Sequence, residues 1–288
     1  MTDSERYDRN ISFFGEAGQT KIGSMKICIV GIGGLGTHVI QQTAFLGVKA
    51  FCLIDNEDLD QSNFNRYIGV NWDDPILGIK KVDIGERAIK KIQKDAFVNK
   101  VYDVLRSKQA FDAIKESDFV FGCLDNEGSR LVLSDICCAY EKPYIDLASE
   151  IIPGKFTEYG GEIFFTRDDK GCMRCLNLIN LGEAQKELLN PDELRNVEMI
   201  YGIKKELLGI AGPSVVSING IIASLAVTEF MVFVTGIREP KRHLRYHGNR
   251  GIVSLNSDEP LPDCYYCKSF RGKRDEAGVE EYLKKVVR

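Results

Sequence analysis

Apolar positions change their spacing near residue 150. Before it, short unbroken apolar runs at Lys26–Val30, Ala50–Ile54, 101–104, 118–124 and 143–147 alternate with stretches of helical period. Runs without polar alternation fit strands covered on both faces, and their alternation with helices predicts a parallel sheet. The helical stretches fall at about 37–46, where Val39, Ile40, Thr43 and Leu46 share a face, at 80–94 and at 109–116. A polar, irregular stretch covers 56–74. After residue 150 the rhythm is lost. Residues 160–165 read as an antiparallel strand, 176–210 as a charged crossover segment with short helices, and 214–235 as a buried helix. A hairpin is expected around 247–251, and the charged tail from Lys268 has room for one amphipathic helix. Neither an internal repeat nor a low-complexity linker interrupts the chain, which predicts a single domain over 1–288 with an N-terminal arm at 1–25.

One junction in this pattern carries chemistry. The first strand runs directly into Gly31-Ile32-Gly33-Gly34-Leu35-Gly36, and helical periodicity begins at once. In a strand, G-x-G-x-x-G turn and helix, glycines permit the turn and bring the backbone close to a phosphate. The first-turn amides and the helix dipole favour the phosphate charge. Asp55 ends the second strand 19 residues after Gly36, where a carboxylate can accept hydrogen bonds from ribose hydroxyls. The fourth strand ends in Asp125-Asn126. Ligands of open α/β sheets bind beyond the carboxyl ends of the strands, so residues 31–36, Asp55 and Asp125 are expected to face one cleft.

Composition narrows the field by exclusion. The 288 residues are 44% hydrophobic, enough for a full core. A net charge of −4 lacks the basic footprint of a nucleic-acid partner. The polar start Met1-Thr2-Asp3-Ser4-Glu5-Arg6 has no apolar signal segment, and a cytoplasmic protein is expected. The apolar stretch 215–234 is interrupted by Ser217, Asn219, Gly220, Ser224, Thr228 and Glu229, which reads as a buried helix and not a membrane span. Nine cysteines without an export signal argue against a disulfide framework. Two C-x-x-C pairs, Cys172/Cys175 and Cys264/Cys267, supply four thiolates for a closed, structural tetrahedral zinc, although one pair alone would also suit a redox dithiol.

Further motifs stand in a fixed order: Arg6-Tyr7-Asp8-Arg9-Asn10; the glycine turn; Asp55 followed by Ser62-Asn63-Phe64-Asn65-Arg66; Gly78-Ile79-Lys80-Lys81-Val82; Asp125-Asn126 with Arg130; the two C-x-x-C pairs; and the helix before Thr235-Gly236. In this arrangement, from Arg6 to Cys267, the chain resembles the ubiquitin-activating-enzyme-like adenylyltransferases, the ThiF/MoeB/HesA group. The resemblance implies a Rossmann-like, mostly parallel sheet with helices on both faces, extended by antiparallel strands and a four-cysteine zinc site. Its nucleotide-binding half would cover 26–150, its carrier-binding and zinc half 151–267, and a charged tail 268–288.

The implied reaction joins the C-terminal carboxylate of a small ubiquitin-like or sulfur-carrier protein, usually ending in Gly-Gly, to the α-phosphate of ATP, releasing pyrophosphate. By the same resemblance Arg66, Lys81 and Mg²⁺ on Asp125 neutralise the phosphates. Gly31, Gly33, Gly34 and Gly36 admit the nucleotide, with Asn126 beside it, while Asp55 holds the ribose and Asn63 a phosphate. Arg9 would reach in from the neighbouring subunit of a homodimer. Lys80 could replace Lys81 in the register, and Asp125 could instead cap the helix that follows it.

Residues 176–263 contain no cysteine, unlike many relatives, so an acyl adenylate would pass to an acceptor elsewhere, such as a conjugating enzyme or a sulfur donor. Cys123, Cys137 and Cys138 have apolar surroundings that predict unreactive thiols. An NAD-dependent oxidoreductase shares the glycine turn and Asp55 but leaves Arg66, Lys81 and the cysteine pairs without a role; a non-catalytic docking protein is the third reading.

Overall fold

The strands form because residues of alternating direction each meet a different covering layer. In β1 (Lys26–Val30), Ile27 and Ile29 face one side of the sheet while Cys28 and Val30 face the other, and all four are buried. The computed structural model describes residues 3–154, 156–168, 171–189, 213–257 and 259–284. Its sheet has eight strands in the order β3-β2-β1-β4-β5-β6-β7-β8. The other strands are β2 (Ala50–Ile54), β3 (Phe97–Val101), β4 (Phe119–Gly122), β5 (Tyr144–Ile152), β6 (Glu158–Thr166), β7 (His243–His247) and β8 (Ile252–Leu255). The first five are parallel, and β6 to β8 continue the same sheet antiparallel.

Among the described residues seven longer helices surround it: α1 (Asp8–Ser24), α2 (Gly34–Leu46), α3 (Lys81–Ile92), α4 (Lys108–Lys115), α5 (Glu127–Ala139), α6 (Leu181–Leu188) and α7 (Val216–Thr235). The core on one face joins Ile27, Phe51 and Phe121 to Ile40 of α2, Ile89 of α3 and Phe230 of α7. The opposite core joins Val30, Ile54 and Val120 to Phe111 of α4, Leu133 of α5 and Phe270 of the tail. Each fully buried side chain of this size contributes about 1.5–3 kcal/mol.

Helix α7 is long and apolar enough to cross a membrane by length and composition, but more than half of its apolar window is buried against protein. Its polar interruptions are satisfied there. Glu229 accepts from Arg238 Nη2 at 2.6 Å and from the Lys241 amide at 2.7 Å, and Asn219 accepts from Ser149 at 2.9 Å. It is a core helix.

Four expectations need correction. The third strand is Phe97–Val101 and not 101–104, because it is the edge strand, and Phe-Val-Asn-Lys-Val, largely half-buried, carries little apolar signal. Helix α2 begins at Gly34, inside the glycine motif, and not at 37. Strand β5 runs on to Ile152 because nine residues pair with β6. The tail is not one helix from Lys268: short turns carry Phe270 and Val279 into the core over α5, and the α-helical segment among its described residues is the short Glu281–Lys284. Within the expected crossover segment α6 is present, and residues 190–210 lie outside the described residues.

Candidate nucleotide site

The strand order places β1 between β2 and β4, so the chain leaves β1 in one direction and later returns on its other side. At such a switch point the connections diverge and leave a crevice beyond the carboxyl ends of β1 and β4. Residues 31–36, Asp55 and Asp125 all lie at that end.

The glycine turn is shaped by close approach. Gly31 has φ +88°, and a Cβ there would lie 2.5 Å from the Cys123 carbonyl oxygen; one at Gly36 would overlap the Gly31 carbonyl. Gly34 is covered by Asn219 and by the Arg66 stem, whose Cγ lies 3.4 Å from where its Cβ would be. Gly33 alone of the four faces open space.

Asp55 braces this turn. Its Oδ2 accepts from the Ile32 amide at 2.7 Å and its Oδ1 from the Glu57 amide at 2.9 Å. Burial pushes the carboxyl up, while the Lys81 charge and these amides oppose the shift. Lys81, 7% exposed, pairs through Nζ with Glu57 and lies 5.7 Å from the Tyr67 ring centre. Lys80 sits 3.8 Å over the Tyr102 ring, so Lys81 is the lysine that turns toward Asp55.

The segment between them also returns to the crevice. Asp60 caps a single helical turn, Gln61–Asn63, and the Asn63 Oδ1 accepts from the Asp60 amide at 3.4 Å. Arg66 Nη1 donates to the Ser62 carbonyl at 2.8 Å and to Asn65 Oδ1 at 3.3 Å. Asp125 is exposed just beyond the end of β4. The cap of α5 is Asn126, which accepts from the Ser129 amide at 2.8 Å, and not Asp125. Asn126 Nδ2 lies 3.5 Å from Asp125 Oδ1.

Tyr67 sits at the centre of these groups. Its hydroxyl donates to the Ile32 carbonyl, and its ionisation is pushed far up by burial and then by Asp55, Glu57 and Asp125, with Arg66 opposing. Sequence reasoning missed both Tyr67 and Glu57. Their position was the available signal, one residue after Arg66 and two after Asp55.

Two arginines of the sequence motifs lie away from this crevice, one of them, Arg9, being expected to serve the neighbouring subunit. Arg130 is buried and bonded to Asp146 and Glu127 beneath the crevice. Arg9, with its side chain 95% exposed, pairs with the adjacent Asp8. The neighbouring Tyr7 packs on Gly47, past the far end of α2, so Arg9 does not reach the crevice of its own chain.

The four cysteines Cys172, Cys175, Cys264 and Cys267 converge, with all Sγ atoms within 4.8 Å of one another. Two of the separations are 3.7 and 3.9 Å. Tetrahedral thiolates at a zinc–sulfur distance of about 2.3 Å stand about 3.8 Å apart, so the donor set and spacing are compatible with zinc. Cys123 and Cys137 are buried with thiols pushed well up by desolvation, and Cys138 is pushed up to about 11.

The sheet order and the crevice define a Rossmann-type α/β protein with its candidate ligand groups at the switch point. More particularly, the chain belongs to the ThiF family, whose model matches residues 7–265. It is similar to the adenylyltransferase and sulfurtransferase MOCS3 of Drosophila yakuba, 30% identical over 176 residues, which are 60% of this chain and 37% of that protein. The chain thus spans about a third of the length of these Drosophila relatives. The sulfur carrier protein ThiS adenylyltransferase of Escherichia coli K12 is 26% identical over 247 residues, 84% of this chain and 86% of that one. Among solved structures, E. coli MccB in complex with ATP shares the fold with TM-score 0.70 at 18% identity, covering 92% of this chain and 75% of that chain. PaaA shares it with TM-score 0.65 at 18% identity, covering 88% and 83%.

Proposed function

We propose that this protein adenylates the C-terminal carboxylate of a small ubiquitin-like or sulfur-carrier protein. The observation that carries this reading is the meeting of Gly33, Asp55, Arg66, Lys81 and Asp125 at one crevice in a ThiF-family chain. A carboxylate oxygen of the carrier attacks the α-phosphorus of ATP. The new oxygen–phosphorus bond forms as the bond to the bridging oxygen breaks, and pyrophosphate leaves with the electron pair. The nucleophile is already ionised, so no general base is needed. Catalysis here is positioning and charge neutralisation.

In this reading Gly33 lets the nucleotide approach the backbone. Asp55 braces the turn and faces the ribose, Asn63 turns its amide nitrogen to a phosphate, and Arg66 and Lys81 bring positive charge. Three carboxylates, Asp55, Glu57 and Asp125, stand against these two cations. That balance suits a divalent cation arriving with ATP, and the exposed Asp125, with Asn126 beside it, fits as its protein ligand. Mg²⁺ would supply neutralisation of the departing phosphates. The four cysteines would hold zinc as a structural brace. We assign Arg9 to the crevice of a second copy in a homodimer, and the acyl group to an acceptor outside the chain, a conjugating enzyme or a sulfur donor, because the free thiols near the crevice are buried. The reduced thiols fit a cytoplasmic protein.

Exchange of labelled pyrophosphate into ATP, dependent on Mg²⁺ and on a Gly-Gly carrier, tests the reading. Absence of exchange with every candidate carrier, from folded protein, would overturn it.

A further inference from the structure

Both backbone polar groups of Ile32 are held. Its amide donates to Asp55 Oδ2 at 2.7 Å, and its carbonyl accepts from the Tyr67 hydroxyl. In a trans peptide a carbonyl and the amide that follows point in opposite directions, and no cis bond occurs among the described residues. By holding the oxygen of the Ile32–Gly33 peptide unit, Tyr67 therefore turns the Gly33 amide away from its own hydroxyl. Gly33 is also uncrowded: a Cβ there would meet only the Tyr67 hydroxyl, at 4.0 Å. No described residue accepts a hydrogen bond from the Gly33 amide.

Tyr67 is well held for this task. It is 6% exposed and packs in a small apolar cluster with Leu59 and Ile84. The residue before it is Arg66, whose stem covers Gly34, and its ring lies 5.7 Å from Lys81 Nζ. One side chain thus touches the glycine turn and lies against both candidate cations. Burial and the surrounding carboxylates keep the phenol protonated, so it remains a donor.

We propose that Tyr67 is a positioning residue that presents the Gly33 backbone amide to the phosphate chain of the nucleotide. This rests on the nucleotide reading above and adds to it the group that sets the donor's direction. The amide would meet the phosphates both before and during reaction. Loss of its orientation then weakens ATP binding uniformly, raising KM while leaving kcat unchanged.

The test is Tyr67→Phe, which keeps the ring and removes the hydroxyl. Mg-ATP affinity is measured by calorimetry and the pyrophosphate exchange rate over a range of ATP concentrations. A single lost hydrogen bond predicts a roughly five- to tenfold rise in Kd and KM for ATP with kcat within about twofold. Incorporating 4-aminophenylalanine at position 67 restores an N–H donor and should recover most of the affinity. Wild-type binding of ATP with Tyr67→Phe unchanged overturns this assignment alone. Failure of the wild type to bind ATP overturns the nucleotide reading and the assignment with it. A Tyr67→Phe protein that lacks a folded thermal transition, or a loss confined to kcat, also overturns it, in favour of a purely structural or a chemical role respectively.

Discussion

Arg130 Nη2 lies 2.6 Å from Asp146 Oδ2, and both residues are buried beneath the crevice. Tyr144 donates to the same carboxylate at 2.7 Å, and Arg130 also reaches Glu127 at the start of α5. The arginine ties the first turn of α5 to β5 and so fixes the end of β4, where Asp125 emerges. Removing one partner of such a buried pair costs about 3–5 kcal/mol, because the other charge is stranded. Asp146→Ala should therefore lower the denaturation midpoint sharply in a urea titration. Exchange activity per folded molecule should fall less than on loss of a crevice cation, because the loosened end of β4 still carries Asp125.

Lys81 and Lys80 are neighbours with different environments, and the crevice belongs to the first. Lys81→Met should reduce pyrophosphate exchange by roughly 10²–10³-fold, the usual effect of deleting one preorganised electrostatic group. Lys80→Met should leave exchange nearly unchanged. Steady-state exchange rates of the two variants, both checked for folding by circular dichroism, decide between them.

Arg9 offers a test of composite sites. Arg9→Ala and Lys81→Ala should each be inactive alone. Mixing them in equal amounts after subunit exchange should restore about a quarter of the wild-type sites, since half of the dimers are mixed and one site in each is intact. No recovery from freely exchanging chains would remove Arg9 from the mechanism.

The cysteine cluster predicts a stability that depends on metal. Zinc should be found at one ion per chain by elemental analysis. Cys267→Ser or prolonged chelation should lower Tm by on the order of 5–10 °C, as tail and hairpin loosen. The buried Cys123, Cys137 and Cys138 should resist alkylation at neutral pH in the native protein, and replacing them with alanine should not abolish exchange.

The loop between Arg66 and Lys81 is anchored by Asp74. Hydrogen bonds from Arg87, and then from the Asn71 amide, hold its carboxyl below the usual range. A depressed folded value means that this stabilisation is fully present above the unfolded carboxylate pKa of about 3.9 and is lost as pH falls through the lower folded value. Asp74→Asn should be less stable than the wild type at neutral pH, with the difference shrinking below about pH 4. Urea midpoints measured from neutral pH down to about pH 2.5 check the sign.

The parallel half of the sheet was legible because its central strands are buried on both faces and leave unbroken apolar runs, as in Ile27-Cys28-Ile29-Val30 and Phe119-Val120-Phe121. Phe97–Val101 was displaced in the reading because an edge strand keeps polar side chains in solvent and loses that signature. The crevice residues could be named because each follows directly from a strand end or a motif. Their partners could not. Nothing in the sequence pairs Arg130 with Asp146, or turns the Tyr67 hydroxyl onto Ile32, since both contacts join segments brought together only by folding. Asn126 has a second task that its motif position did not reveal, for its oxygen caps α5 while its amide nitrogen stays beside Asp125.

The four sulfurs that gather Cys172, Cys175, Cys264 and Cys267 turn the intervening stretch into a tether fixed at both ends. The 88 residues between Cys175 and Cys264 leave from one point and return to it. Between the two pairs the described chain passes through α6, α7, β7 and β8, so an ion held by the four sulfurs would lock the turn that follows β6 onto the tail and close the C-terminal half of the sheet into a covalently bounded unit.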